Sequence, residues 1–156
     1  DLQIIKPLEL KHLMDKQLNQ LSGGELQRVF IAKCLSEEAD LYLLDEPSAY
    51  LDIEQRLAVS KIIKNFAQQK GASVLVVDHD VLFLDYISDE LLIFDAQPAK
   101  HGEAKGPFDM REGMNKFLSG LNITMRRDQE SNRPRINKPG SVMDREQKQK
   151  GMLYYA

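Results

Sequence analysis

The sequence has 156 residues, of which 42% are hydrophobic, so it is long enough for one buried core and predicts a single domain with attachments. Apolar runs such as Leu41 to Leu44 and Val74 to Val77 are only four residues long, whereas a membrane-spanning helix needs about 20. No signal-peptide pattern opens the chain, and the one cysteine, Cys34, has no partner for an internal disulfide. We therefore expect a soluble, cytoplasmic protein.

The charges divide the chain into an acidic body and a basic tail. The net charge is −3, but residues 1–125 carry −7 and residues 126–156 carry +4. Such a tail either binds nucleic acid or folds back onto its own acidic domain. Both interpretations remain open at this point.

The first predicted elements are helical. Pro7 to Met14 predicts a short helix with proline in its first turn. Ser22 and Glu25 have the spacing of a capping box, and apolar residues at helical spacing then predict a helix that continues to about Ser36.

A strand, a helix and a second strand are predicted next. Leu41 to Leu44 is short and wholly apolar, which is typical of a strand buried on both faces of a parallel sheet. Asp52 begins a helix that ends near Gly71, and Ser73 to Val77 repeats the pattern of the buried strand. This order predicts an α/β fold with a parallel sheet flanked by helices.

The remaining sequence gives weaker predictions. It predicts a short helix near Val81 to Tyr86, a third apolar run at Leu91 to Phe94, and a surface loop from Pro98 to Pro107. Glu112 to Leu121 predicts another helix. Residues 126–150 have little apolar periodicity, so we expect them to be extended or tied down by contacts elsewhere.

Two glycines at the start of the Ser22 helix suggest an anion site. Gly23 and Gly24 each cost about 1 kcal/mol in a helix relative to alanine. They allow another group to approach the backbone closely, and a first helical turn offers free N–H groups. Ser22 adds a hydroxyl, so this turn suits a phosphate. On this short motif alone, however, a capping box after a flexible turn is the favoured interpretation, because short motifs often match by chance.

Acidic residues and a histidine follow the two predicted strands. Asp45 and Glu46 end the first strand, and adjacent residues leaving a strand point to opposite sides. One carboxylate could hold Mg²⁺ while the other orients a water molecule toward a γ-phosphate; the alternative is a plain acidic turn. His79 follows the second strand, and ligands of parallel sheets bind at the carboxyl ends of strands.

Together these residues resemble the motifs of ABC ATPases. Residues 21–27, LSGGELQ, resemble the ABC signature, residues 41–46, LYLLDE, resemble Walker B with its catalytic glutamate, and His79 resembles the switch histidine. The implied fold is a partial P-loop NTPase fold that lacks the Walker A half, since the chain has no G-x-x-x-x-G-K-[ST] motif and no Q-loop.

The motif at residues 48–52 and the tail carry a second, narrower resemblance. Tyr50 is an extra residue in the motif that resembles the D-loop, residues 48–52. Together with the tail segments 115–118, 123–128, 133–138 and 144–148, it resembles the second cassette of the RNase L inhibitor family, the E subfamily of ABC proteins. This resemblance implies a function in ribosome recycling. Asp78, Gln129 and Pro139-Gly140 depart from the family pattern. The resemblance implies a cassette portion at residues 1–121 and a basic, hinge-like tail at residues 122–156.

The resemblance assigns site residues to two different ATP sites. Ser22, Gly23 and Gly24 would contact ATP held by the opposite cassette, and Gln27 belongs to the same nucleotide-contacting motif. Asp45 would hold Mg²⁺, Glu46 would activate water and His79 would sense the γ-phosphate of ATP held by this cassette's own P-loop. Asp52 would link the two sites.

The resemblance also implies cofactors and partners. ATP and Mg²⁺ are the cofactors, whereas iron-sulfur clusters are expected only in an N-terminal domain outside this chain. The partners are the first cassette, the small ribosomal subunit and a class-one release factor, with no membrane.

The basic tail is expected at the cassette hinge through four arginines, Arg126, Arg127, Arg133 and Arg135, with direct RNA contact as the alternative. We expect the chain alone to be inactive as an ATPase. Two further alternatives are the nucleotide-binding subunit of an ABC transporter and a non-catalytic interaction module.

Overall fold

The computed structural model describes residues 2–97, 99–128 and 134–155. The chain divides into two compact units, Asp1–Ile87 and Ser88–Ala156. The first unit contains the helices and strands at Leu2–Ile5 (α1), Gly23–Ser36 (α2), Leu41–Asp45 (β1), Ile53–Lys70 (α3), Ser73–Val77 (β2) and Val81–Ile87 (α4). The second contains Glu90–Gln97 (β3), His101–Asp109 (β4), Met110–Leu121 (α5), Met125–Arg127 (β5), Pro134–Ile136 (β6) and Val142–Lys150 (α6).

The predicted strand, helix and second strand of the first unit are confirmed. Strands β1 and β2 are parallel, and their register pairs Leu41 with Ser73 and Asp45 with Val77. Helix α3 connects them; Asp52 caps its start and Gly71, with φ of 64°, ends it in the left-handed conformation. Because the two strands end level with each other, the residues that follow them emerge at one edge of the sheet.

The prediction that both strands are buried on two faces is wrong for this unit. Tyr42 and Leu44 are buried beside α3, and the ring of Tyr42 packs edge-to-face on Phe66 at 5.1 Å. The alternate residues Leu41 and Leu43 are 53% and 65% exposed. The helices of this unit therefore cover one face of the β1–β2 pair, and an apolar sequence cannot show which face is covered.

The segment before α2 also differs from the predicted helix. Residues Pro7 to Met14 form turns and a 3-10 helix at Lys11–Leu13, followed by a second 3-10 helix at Leu18–Gln20. Glu9 has φ of 55°, a conformation that an α-helix does not contain. The apolar residues Leu8, Leu10 and Leu13 are nevertheless buried in the core of the unit, so their spacing reflects burial rather than a regular helix.

In the second unit the predicted loop at Pro98 to Pro107 is wrong, because most of it belongs to β4. Strand β4 pairs antiparallel with β3, from Glu90 opposite Asp109 to Gln97 opposite His101. It is exposed along almost its whole length, so it lacks the alternation by which a half-buried strand is recognised. Pro98 itself lies outside the described residues.

Helix α5 confirms the prediction for Glu112 to Leu121 and begins two residues earlier. Asp109 accepts a hydrogen bond from the N–H of Glu112 at 2.8 Å and so caps the helix. Met114 and Leu118 are fully buried, and Gly113 lies against Leu91 of β3, where an added Cβ would come within 2.9 Å of the Leu91 Cβ.

The tail is more regular than we expected, because it contains two short strands and helix α6. Strands β5 and β6 pair antiparallel, with Met125 opposite Ile136. Ser141 caps α6 and Gly151 ends it with φ of 65°. The helix buries Asp144 and Gln147 rather than an apolar stripe, so hydrophobic periodicity could not predict it. The proposed division at residues 121 and 122 stays a prediction.

Candidate nucleotide-binding site

The first turn of α2 forms the predicted capping box. The hydroxyl of Ser22 accepts a hydrogen bond from the N–H of Glu25 at 3.3 Å, and the Glu25 carboxylate accepts one from the N–H of Ser22 at 2.8 Å. Lys16 lies 3.1 Å from the other carboxylate oxygen. The N–H of Ser22 and then the ammonium of Lys16 lower the pKa of Glu25 to about 2, so Glu25 carries a negative charge at neutral pH.

The glycines of this turn lie against Tyr50 of the same chain. An added Cβ on Gly23 would come within 3.1 Å of the Tyr50 ring, and one on Gly24 within 2.9 Å of the Tyr50 carbonyl oxygen. Tyr50 has φ of 61° and is 80% exposed. Close approach explains why glycine stands at both positions. The first-turn N–H groups of Gly23 and Gly24 have no partner within an α-helix, so they are also suited to an anion.

Glu46 occupies a strained turn at the end of β1. Its φ is 46°, which is uncommon for a residue other than glycine. The N–H of Glu46 donates to the carbonyl of Val77 at 2.7 Å. The carbonyl of Glu46 accepts from the N–H of Ala49 at 3.0 Å and from the side-chain amide of Gln27 at 3.1 Å. These bonds fix the backbone from which the Glu46 carboxylate projects.

The structure brings Glu46 and His79 together. Nδ1 of His79 lies 3.3 Å from Oε1 of Glu46, and the two side chains are 75% and 55% exposed. The contact is an ion pair only when the imidazole is protonated. The two residues therefore share one open edge of the sheet, where a carboxylate and an imidazole can face the same ligand.

Asp78 and Asp80, on either side of His79, hold the turn in place. The Asp78 carboxylate accepts from the N–H and the hydroxyl of Ser48, at 3.0 and 2.9 Å. Asp80 caps α4 through the N–H groups of Leu82 and Phe83 and forms an ion pair with Arg56. Neither Ser48 nor Arg56 had a predicted role in the site. The sequence signal that could have found these partners is the pair of acidic residues beside His79, since each carboxylate needs a donor nearby.

Asp45 and Asp52 differ in how their carboxylates are engaged. Asp52 accepts from the N–H of Gln55 at 2.8 Å and so begins α3. The side chain of Asp45 is exposed at the end of β1, and no hydrogen bond or ion pair to it is seen among the described residues. Carboxylate oxygens are ordinary ligands of Mg²⁺ or of its bound water, so Asp45 fits that ion. Within residues 2–97, 99–128 and 134–155, no three His, Cys, Asp or Glu side chains cluster as a metal site.

Two of the arginines expected at a hinge have partners inside the second unit. Arg135 lies 3.1 Å from the carboxylate of Asp128. Arg127 stacks over the ring of Tyr155 at 4.4 Å. Arg133 lies outside the described residues. Whether the tail meets a cassette or RNA stays a prediction.

Helices suited to a lipid bilayer are not found in the part of the chain that the structure describes, since none there is both long and apolar enough to cross one.

Comparison with known proteins places these features in a family. A family profile described as ABC transporter matches residues 2–49. The chain is 57% identical over 153 residues to an uncharacterized ABC transporter ATP-binding protein of Methanocaldococcus jannaschii, a match that covers 98% of this chain and 26% of that protein.

Two solved structures match this chain at about the same sequence identity as that relative. A structure described as RNase-L Inhibitor superposes with a TM-score of 0.90 and 57% identity, covering 98% of this chain and 30% of that one. The second structure is a complex of an archaeal ribosomal stalk protein and an archaeal ribosome recycling factor. It superposes with a TM-score of 0.91 and 56% identity, covering 99% of this chain and 30% of the matched one.

The chain spans about a quarter of the length of the curated relatives it matches. The assignment rests on high identity across nearly the whole chain. It also rests on helix α2, here called the signature helix because the signature motif begins it, and on Asp45, Glu46 and His79 at one sheet edge. This chain belongs to the RNase L inhibitor family of ABC ATPases.

Proposed function

We propose that this chain is the C-terminal part of the second nucleotide-binding cassette of an ATPase that splits ribosomes into subunits. The observation that carries the proposal is the Glu46 carboxylate, 3.3 Å from His79, on a turn that contacts the start of the signature helix. The match to a structure that contains an archaeal ribosome recycling factor supports the ribosome as the proposed substrate. The small subunit, a class-one release factor and a cytoplasmic location belong to this proposal.

The residues of the chain serve two different ATP molecules in this proposal. Ser22, Gly23 and Gly24 bind the γ-phosphate of ATP held by the first cassette, because a helix start with free N–H groups favours an anion. Glu46 and His79 serve ATP held by this cassette's own P-loop. The 156-residue chain contains no P-loop motif, so on its own it hydrolyses no ATP in this account.

The contact between Glu46 and His79 supports the roles proposed at the hydrolytic edge. The Glu46 carboxylate accepts a proton from, and orients, the water that attacks the γ-phosphate. The His79 imidazole, close to that carboxylate, donates a hydrogen bond to the γ-phosphate oxygens. Asp45 would hold Mg²⁺ through its carboxylate, and the ion would neutralise phosphate charge. Asp52, which caps α3 and lies two residues after Tyr50, is the residue proposed to connect the two sites.

A ribosome-splitting assay tests the proposal. The intact protein that carries this chain is incubated with ribosomes and ATP, and subunits are separated on a sucrose gradient. We expect ATP-dependent splitting that is lost in Gly24→Asp, because a carboxylate in the first turn repels the γ-phosphate. Gly24→Ala is the matched control, because its Cβ meets the same Tyr50 carbonyl without adding a charge, and it should retain splitting.

The outcome separates the recycling proposal from its alternatives. Intact ribosomes in the presence of an active wild-type ATPase would contradict recycling and favour the transporter interpretation. If Arg135→Glu weakened ribosome binding but left the two cassettes associated, the tail would contact RNA rather than the hinge. Loss of cassette association would instead support the hinge.

A further inference from the structure

The signature helix and the Glu46 turn are joined by one side-chain hydrogen bond. Gln27 lies one turn into α2, half-buried, and its Nε2 donates to the backbone carbonyl of Glu46 at 3.1 Å. We propose that Gln27 is a positioning residue that holds the catalytic glutamate in place and couples it to the start of the signature helix. This inference rests on the proposed function, in which Glu46 activates water.

The backbone of Glu46 needs such support. A non-glycine residue with φ of 46° persists only where its surroundings hold it, at a cost on the order of 1–3 kcal/mol. Two of the bonds that hold it are from the backbone, to Val77 at 2.7 Å and from Ala49 at 3.0 Å. Among the described residues, Gln27 supplies the side-chain bond to this peptide from another element.

The same turn meets the signature helix at a second point. Tyr50, four residues after Glu46, packs on Gly23 and Gly24 so closely that either glycine has no room for a Cβ without displacement. Residues 46–50 are thus attached to α2 at both ends, by the Gln27 bond and by the Tyr50 contact. A shift of α2 when its first turn binds a phosphate would move the Glu46 peptide with it.

This geometry assigns Gln27 a role different from direct nucleotide contact. Its amide nitrogen is directed to Glu46 of its own cassette rather than left free at the first turn. A residue that binds nucleotide affects KM, whereas a residue that positions the catalytic carboxylate affects kcat. Misplacement of a catalytic group by about 1 Å costs up to about 100-fold in rate.

The experiment measures turnover at a single site. In the intact protein, the catalytic glutamate of the other cassette is replaced by glutamine, so that all turnover comes from the site with Glu46. In that background we expect Gln27→Leu and Gln27→Met, which keep the size of the side chain and remove its donor, to lower kcat about tenfold with KM unchanged. Gln68→Leu, at an exposed glutamine of α3, is the control and keeps the wild-type kcat.

The outcomes are distinct. An unchanged kcat in both Gln27 variants, or a raised KM with unchanged kcat, would overturn the positioning role. Thermal unfolding of each variant is measured in parallel, and a loss of kcat that appears only in a variant with a lowered Tm also counts against it. Glu46→Gln in the same background separates the two proposals: if turnover survives that change, the proposed role of Glu46 fails, independently of Gln27.

Discussion

At the scale of single residues, Glu25 shows how one side chain sets the start of the signature helix. Its carboxylate accepts a hydrogen bond from the N–H of Ser22 and forms an ion pair with Lys16. Both interactions favour the charged form of Glu25. The pKa of Glu25 falls from 4.5 to about 2 as a result. A group whose pKa is lowered on folding stabilises the fold above its unfolded pKa and stops doing so as the pH falls through its folded pKa.

We therefore predict that the capping box survives mild acid. The Glu25 carboxyl group should titrate near pH 2, and its stabilising effect should disappear between about pH 4.5 and about pH 2. The ¹³C shift of that carboxyl group, followed against pH, measures this. Lys16→Ala should move the midpoint upward because it removes a nearby positive charge. A midpoint near 4.5 in the wild-type protein would contradict the capping geometry.

Gly24 permits a prediction about its packing against Tyr50. Alanine in a helix gains about 1 kcal/mol over glycine, but an added Cβ would lie 2.9 Å from the Tyr50 carbonyl, and such overpacking costs about 1–3 kcal/mol. We expect Gly24→Ala to lower the free energy of unfolding by about 1 kcal/mol in urea titrations. Gly120→Ala, with open space around it, should raise it by about 0.5 kcal/mol or more. Equal stabilisation by both changes would show that Tyr50 does not occupy this space.

At the scale of the elements, the sequence predicted those whose signals are local. Helices α2 and α3 were predicted from the caps at Ser22 and Asp52 and from the stop at Gly71. Strands β1 and β2 were predicted from short apolar runs. It did not predict β4, whose residues are almost all exposed, or α6, whose buried residues are Asp144 and Gln147. These two elements depend on partners distant in the sequence, which no local pattern records.

The tail is held by a buried polar network around α6. Asn137 donates to Thr124 at 2.9 Å and to the side chain of Gln147, and Thr124 donates to Asp144 at 2.8 Å. All four side chains are at most 4% exposed. The N–H of Gly140 and then the Thr124 hydroxyl lower the pKa of Asp144, so the charged form that accepts these bonds persists at neutral pH.

We predict that this network stabilises the second unit. Asn137→Ala leaves Thr124 and Gln147 without a donor and should lower the free energy of unfolding by about 2–3 kcal/mol. Gln149→Ala, at an exposed position of α6, should change it by less than about 0.5 kcal/mol. Urea unfolding followed by circular dichroism measures both. Equal effects of the two changes would indicate that the network contributes little.

At the scale of the whole molecule, the candidate site could be assembled from sequence only in part. The carboxyl ends of two parallel strands placed Asp45, Glu46 and His79 at one edge, and the register of β1 and β2 confirms that placement. The sequence did not predict the hydrogen bond from Gln27 to the Glu46 carbonyl or the packing of Tyr50 against Gly23 and Gly24. Both depend on the left-handed backbone conformations of Glu46 and Tyr50. Glutamate and tyrosine rarely adopt this conformation, so the sequence does not predict it.

The central claim is that this chain contributes to two ATP sites, with its signature helix at one and Glu46 at the other. Cryo-electron microscopy of the intact Glu46→Gln protein, frozen after incubation with ATP and Mg²⁺, tests it directly. We predict a retained γ-phosphate beside position 46 and a different nucleotide against Ser22, Gly23 and Gly24. ADP beside position 46, or one and the same nucleotide contacting both sets of residues, would contradict the account.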